Sequence, residues 1–358
     1  MSRDLSGISW EDFSSRDVTG KAELLKRDGQ IFHVLLAQQF NRQSLEDLGS
    51  LATCIRRISK REDGMTFLRS LMANQRAMLY FSQPSSRTFL SFCAACQLLG
   101  VQIGEVRDTS TSSEFKGETQ EDSVRTFSSY FDFIIMRSHV GGLAERAAWL
   151  LSNTERPVPI INAGSGKDQH PTQALLDIYT LQRSFEHQGG IDNKTIMFVG
   201  DLARGRTVRS LAWLLANYKA MTILFVAPPE LQIGKDILSL LDQANVRYEV
   251  LTDFEGSISR ADAIYMTRIQ DEWDAEGEKG KIDTSKYCFG RQHLAVLKEQ
   301  AVIMHPFPRR KEIAVEVDDD PRAVYWRQMR NGMWIRAALM ATIFKKDAMI
   351  RSDYERFS

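Results

Sequence analysis

Ala77-Met-Leu-Tyr-Phe81 leads into Ser82-Gln-Pro-Ser-Ser-Arg-Thr88, and this polar elbow is followed by Phe89-Leu-Ser-Phe-Cys-Ala-Ala-Cys-Gln-Leu-Leu-Gly100. An apolar run of strand length enters a turn, and an amphipathic run then ends at a glycine. Ser85 or Ser86 is a natural N-cap, Pro84 sets the turn, and Gly100 stands where a helix stops. A strand that empties into a helix N-terminus leaves free N–H groups and the positive end of the helix dipole pointing outward, which favours an anion. Here Ser85, Ser86, Arg87 and Thr88 add three hydroxyls and a guanidinium, with no carboxylate among them.

The same alternation recurs on both sides of this stretch. Strand-like runs stand at Val101-Gln-Ile103, Phe131 to Met136 and Val158 to Ile161, then at Thr195 to Val199, Thr222 to Val226, Tyr248 to Leu251, Ala263 to Met266 and Ala301 to Met304. Helical patterns lie between them, so the chain reads as α/β, with two doubly wound parallel-sheet domains. The 358 residues suffice for two domains with real cores. Their expected limits are 33–185 and 186–334, joined near residues 182–194, with a C-terminal helix at about 335–350 returning to the first. That last helical pattern, from about Ala323 to Lys345, is expected to break at Asn331-Gly332. Residues 1–32 are polar and weakly patterned, and read as a partly disordered extension.

Forty-six basic and 46 acidic residues balance. No basic excess calls for nucleic acid or a membrane surface, so any anion must be held by locally placed arginines. The longest apolar runs are too short to span a bilayer, and the N-terminus has no secretory pattern. Cys93 and Cys96 lie within the helix after the elbow, with no second pair at zinc spacing, and read as core residues. The expectation is a cytoplasmic protein with reduced thiols, no metal and no cofactor.

Ligands of open parallel sheets bind at the carboxyl ends of the strands. Arg137 follows the strand ending at Met136. Asn162 to Gln173, containing His170, follows Ile161. Gly200-Asp-Leu-Ala-Arg-Gly-Arg206 follows Val199, Thr267-Arg268-Ile-Gln270 follows Met266, and His305-Pro-Phe-Pro-Arg309 follows Met304. A cation or histidine after so many strands indicates a multiply anionic ligand. Two tempting alternatives fail. Gly164-Ser-Gly-Lys167 lacks the first glycine and the Ser or Thr of a P-loop, because Ile161 and Asp168 occupy those places. Gly200 to Gly205 lacks dinucleotide-loop spacing.

Taken in order, S-S-R-T, K-G-E-T at Lys116 to Thr119, M-R at Arg137, H-P-T-Q-A-L-L-D, G-D-L-x-x-G-R-T-V, Y-M-T-R-x-Q and M-H-P-F-P-R resemble the motif series of the aspartate carbamoyltransferases, over about residues 33 to 347. The related ornithine enzymes typically carry H-C-L-P where this chain has His305 to Pro308, and lack the pair Arg268 and Gln270. The resemblance implies one domain for carbamoyl phosphate and one for L-aspartate, with the active site in the cleft between them. It implies Ser85, Ser86, Arg87 and Thr88 as a phosphate grip, with Arg137 reaching phosphate and carbonyl. His170, Arg137 and Thr88 would stabilise the carbonyl oxygen, and Gln173 would hold the carbamoyl amide. Arg206, Arg268, Gln270, Phe307 and Pro308 would bind aspartate, the arginines pairing with its carboxylates. Ser112 and Lys116 would reach carbamoyl phosphate, and Lys116 also the aspartate carboxylate, from a neighbouring subunit of a homotrimer, and the family also includes assemblies with regulatory or dihydroorotase-like subunits. Gln83 and Trp273 depart from the pattern where an acid and an arginine are usual, and Phe115 replaces a second basic residue. A carbamoyltransferase for another amino acid, or a non-catalytic anion-binding or scaffolding homologue, are the competing readings.

Overall fold

A computed structural model of the chain describes residues 4–107, 117–164, 169–268 and 285–357. The chain divides into two compact units, 1–176 with 332–358, and 177–331.

The first unit opens with α1 (Trp10–Ser14), α2 (Val18–Leu24) and a short hairpin, β1 (Lys26–Arg27) and β2 (Gln30–Ile31). Two helices follow, α3 (Arg42–Ile58) and α4 (Glu62–Ser70), and then β3 (Arg76–Phe81), α5 (Ser86–Leu98), β4 (Gln102–Val106), α6 (Gln120–Tyr130), β5 (Phe133–Arg137), α7 (Leu143–Ser152) and β6 (Ile160–Asn162). Its strands β3 to β6 form a parallel sheet in the order β4-β3-β5-β6. The β3 strand pairs with both β4 and β5, so consecutive connections leave it in opposite directions. The gap between β3 and β5 is therefore the topological switch point, where ligands of such sheets bind. Phe81 is directly opposite Arg137 in that pair.

Residues 1–32 differ from the expectation of partial disorder. From Asp4 onward they carry two capped helices, with Ser9 and Asp17 as N-cap acceptors. Leu5, Phe13, Leu24 and Leu25 are buried in one cluster with α7 and β6 residues such as Leu151 and Ile160. The indole N–H of Trp149 donates to the Ile8 carbonyl at 2.8 Å, and Lys21 pairs with Glu145 at 2.7 Å. The apolar anchors are few and widely spaced, so no periodic signal reveals them.

In the second unit the strands are β7 (Thr195–Val199), β8 (Thr222–Val226), β9 (Arg247–Leu251), β10 (Ala263–Met266) and β11 (Val302–Met304). They lie parallel in the order β11-β10-β7-β8-β9, which places the switch point between β7 and β10. Helices α9 (Arg206–Leu215) and α10 (Lys235–Gln243) connect the strands on one side of the order.

The chain passes between units within helices rather than in the 182–194 stretch. In α8 (Pro171–Ser184) the division falls after Leu176. From Asp177 on, the side chains bond within the second unit: the Tyr265 hydroxyl donates to Asp177 at 2.8 Å and the Gln328 amide at 2.7 Å. The return runs through α11 (Tyr325–Ile343), followed by α12 (Asp347–Phe357). Asn331-Gly332 does not interrupt α11. A Cβ on Gly332 would lie 2.9 Å from Arg336 Nη1, 3.1 Å from Leu176 Cδ2 and 3.2 Å from Ser91 Oγ, so the glycine serves close packing rather than a helix stop.

Candidate active site

The first unit gathers its polar residues at the switch point. Ser85 occupies the N-cap position of α5, as its residue type suggests, but its hydroxyl makes no capping bond. Thr88 is buried, while Ser86 and Arg87 are exposed. The elbow is tied to the end of β5, because the Gln83 N–H donates to the Arg137 carbonyl at 3.2 Å and the Ser82 hydroxyl at 3.4 Å. Arg137 is only 8% exposed, and its Nη1 donates to the Ala163 carbonyl at 3.1 Å. A guanidinium stays protonated under all ordinary conditions and presents its donors in a fixed planar fork.

The third contributor is the segment after β6. Gly164 has a φ of +110°, and a Cβ there would fall 2.5 Å from Arg137 Nη1 and 3.4 Å from His170 Nε2. Arg137 and His170 therefore close on the same backbone position, which only glycine can occupy. His170 is buried and directly precedes Pro171, the first residue of α8. Its carbonyl accepts from the N–H groups of Gln173 and Ala174. Gln173, also buried, lies in the first turn of that helix. The first unit thus concentrates hydroxyls, a guanidinium, an imidazole and a helix N-terminus at one switch point.

In the second unit, Gly200 has a φ of +114° and a Cβ on it would fall 2.3 Å from the Thr267 carbonyl oxygen. Thr267 is fixed there by its N–H and hydroxyl, which both donate to the Val199 carbonyl. Arg206 opens α9 and Arg268 follows β10, so the two arginines flank this switch point, both half-buried. Asp201 is fully buried and accepts from the Arg204 N–H. After β11, His305 is fully buried. The Phe307 N–H donates to its Nδ1 at 2.8 Å, so Nε2 carries the proton and donates to Glu312 at 2.7 Å. Burial pushes the Glu312 carboxyl up, but the His305 bond and backbone N–H groups outweigh it and hold it below the usual range. Phe307 has a φ of +56° and packs against Trp326 with ring centroids 5.0 Å apart. Arg309 pairs with Asp318 at 3.0 Å and lies over Trp326, so it supports this loop.

Two sequence profiles, which share one family, match the chain. The carbamoyl-P binding domain of aspartate/ornithine carbamoyltransferase matches residues 33–183, and the Asp/Orn binding domain matches 192–343. The chain belongs to the aspartate/ornithine carbamoyltransferase family. Among carbamoyltransferase relatives, the chain is 41% identical over 322 residues to aspartate carbamoyltransferase 1, chloroplastic, of Pisum sativum, covering 88% of this chain and 79% of that one. It is 43% identical to the aspartate carbamoyltransferase catalytic subunit of Vibrio cholerae, over 74% of this chain and 84% of that one. A crystal structure of aspartate transcarbamoylase from Trypanosoma cruzi in complex with carbamoyl aspartate and phosphate superposes with a TM-score of 0.77 at 33% identity, covering 87% of this chain and 95% of that one.

Of the residues the carbamoyltransferase resemblance singles out, Ser85, Ser86, Arg87, Thr88, Arg137, His170 and Gln173 lie in the first unit, and Arg206, Arg268, Phe307 and Pro308 in the second. Ser112, Lys116, Gln270 and Trp273 lie outside the described residues. Among the described residues no group of three or more His, Cys, Asp or Glu could hold a metal, and no helix is long and apolar enough to cross a membrane. Cys96 is buried with its Sγ 3.8 Å from Met340 Sδ, and burial raises its thiol well above the ordinary range. Sequence reading missed what supports the site: Asn162, Gln39 and Thr267 have their hydrogen bonds to backbone, which no residue pattern announces.

Proposed function

We infer that this protein transfers the carbamoyl group of carbamoyl phosphate to L-aspartate, giving N-carbamoyl-L-aspartate and phosphate for de novo pyrimidine synthesis. The observation that carries the reading is the convergence of Arg137 and His170 on Gly164, at the switch point that also holds the Ser85–Thr88 helix terminus.

The chemistry follows from this donor set. The α5 N-terminus with Ser85, Ser86, Arg87 and Thr88 receives the phosphate dianion. Thr88, Arg137 and His170 donate to the carbonyl oxygen as the tetrahedral centre forms, and Gln173 holds the carbamoyl NH2. A neutral, donating imidazole suits this task. Arg206, Arg268 and Gln270, with the Phe307-Pro308 backbone, hold the two carboxylates of aspartate. The aspartate amine attacks the carbonyl carbon, the C–O bond to phosphate breaks, and the departing phosphate accepts the amine proton. Catalysis is then mostly positioning and electrostatics. Ser112 and Lys116 act from a neighbouring chain in a homotrimer, and the protein works in a reducing cytoplasm, where Cys54, Cys93, Cys96 and Cys288 remain free thiols.

The test is phosphate release from carbamoyl phosphate with a panel of amino acids. L-aspartate should support turnover, and L-ornithine and L-glutamate should not. Preference for another amino acid would replace the substrate assignment, and no release with any amine would favour a binding homologue.

A further inference from the structure

The first unit contains a second layer of polar contacts, built from residues other than those assigned to substrate. Val34 forms a parallel bridge to Ile161 of β6, and Ala37–Gln39 then make a turn of 3-10 helix. The Val34 N–H donates to the Ile160 carbonyl at 2.8 Å, and the Asn162 N–H to the Val34 carbonyl at 2.8 Å. The segment is locked by Gln39, a buried amide used at both ends. Its Oε1 accepts from the Leu35 N–H at 2.7 Å and the Leu36 N–H at 3.0 Å, and its Nε2 donates to the His33 carbonyl at 2.6 Å.

So locked, the segment grips both flanks of the stretch that carries the site. On the near side, Asn162, 3% exposed, donates from Nδ2 to the Leu35 carbonyl at 3.1 Å and accepts at Oδ1 from the Gly164 N–H at 2.8 Å. On the far side, the Ala37 N–H donates to Gln169 Oε1 at 2.7 Å, while Gln169 Nε2 donates to Gln38 at 2.8 Å. Ala163 and Gly164, between these anchors, are the residues against which Arg137 and His170 sit. An amide bonded through both its oxygen and its nitrogen fixes the peptide it bridges, and a site on fixed backbone holds its donors in the productive geometry.

We propose that Asn162 is a positioning residue for carbamoyl transfer, acting through the Ala163–Gly164 backbone on Arg137 and His170, and that Gln39 supports it by holding residues 33–36. The proposal rests on the transferase reading above. The variants are Asn162→Ser, which cannot bridge both partners, and Gln39→Met, which keeps the shape of the side chain and loses its bonds. Each is measured beside the wild type for kcat, for carbamoyl phosphate Kd by calorimetry, and for thermal unfolding.

A misplaced donor set costs turnover more than binding, so kcat should fall about tenfold or more while the Kd changes by less than about threefold. Because both side chains act through one backbone segment, the double variant should be little worse in kcat than the poorer single one. If either variant does not fold, the other still carries the split between kcat and Kd. Folded variants with kcat within about twofold of wild type, or with loss confined to Tm, would overturn the proposal and leave the clasp purely structural. An inactive wild type would instead overturn the transferase reading.

Discussion

At the residue scale, chemistry-bearing side chains were legible where they follow strands, because parallel sheets put their ligands there. Arg137 ends β5, Arg268 follows β10, His170 immediately precedes α8 in the connection from β6, and Thr88 and Arg206 stand in the first turn of the helix that follows a strand. Asn162 ends β6, and it ties the Gly164 N–H, two residues on, to the Leu35 carbonyl, 127 residues away, so its support of Gly164 emerges only from the folded chain. His170→Ala should lower kcat by about two orders of magnitude, as loss of one oxyanion donor does. Steady-state turnover with calorimetric carbamoyl phosphate binding checks this, and loss of binding with unchanged turnover would contradict the role. Arg268→Ala should weaken aspartate about 10- to 100-fold, the equivalent of roughly 1.5–3 kcal/mol for a charge-assisted contact, with carbamoyl phosphate affinity unchanged. His33 supplies a pH test. The Ile160 N–H donates to its Nδ1, and Nε2–H donates to Ser152. Burial first, and then Arg27, depress its pKa to about 3. The unfolded chain therefore binds a proton at this residue below about pH 6.5 that the folded chain refuses, and stability falls with pH across that window. Between pH 7 and pH 5 the wild type should lose about 2 kcal/mol more than His33→Gln in urea unfolding; equal losses would mean that His33 is protonated in the folded state.

At the element scale, strands with near-continuous apolar runs were recognised in place, since β3, β5, β7, β8 and β10 are buried almost throughout. Misreadings came where tertiary contact decides. Gly332 looks like a helix stop in sequence, yet it lies within α11 because Arg336, Leu176 and Ser91 crowd it. Gly332→Val should destabilise the first unit by about 1–3 kcal/mol through overpacking, which a lowered urea midpoint would reveal. The N-terminal extension has too few apolar residues to announce a packed element, but Phe13 is fully buried. Phe13→Ala should cost about 3–5 kcal/mol in the same measurement, whereas a disordered extension would register nothing.

At the scale of the whole molecule, alternation of strands and helices made the two parallel sheets readable, and the order of strands explains why the chemistry clusters as it does. Each sheet has one switch point, between β3 and β5 and between β7 and β10, and each switch point is flanked by arginine. Assembly is a separate claim. If Lys116 works in a neighbour's site, inactive Lys116→Ala and Arg268→Ala chains that exchange subunits should regain activity, and exchanged mixtures that stay inactive would mean each chain completes its own site. The transfer itself is tested most directly with carbamoyl phosphate labelled with 13C at the carbonyl. Incubated with the purified protein and L-aspartate, the label should appear by NMR in the ureido carbon of N-carbamoyl-L-aspartate, with one phosphate released for each. Label that reaches only the breakdown products of carbamoyl phosphate, at the rate seen without protein, would contradict carbamoyl transfer by this chain.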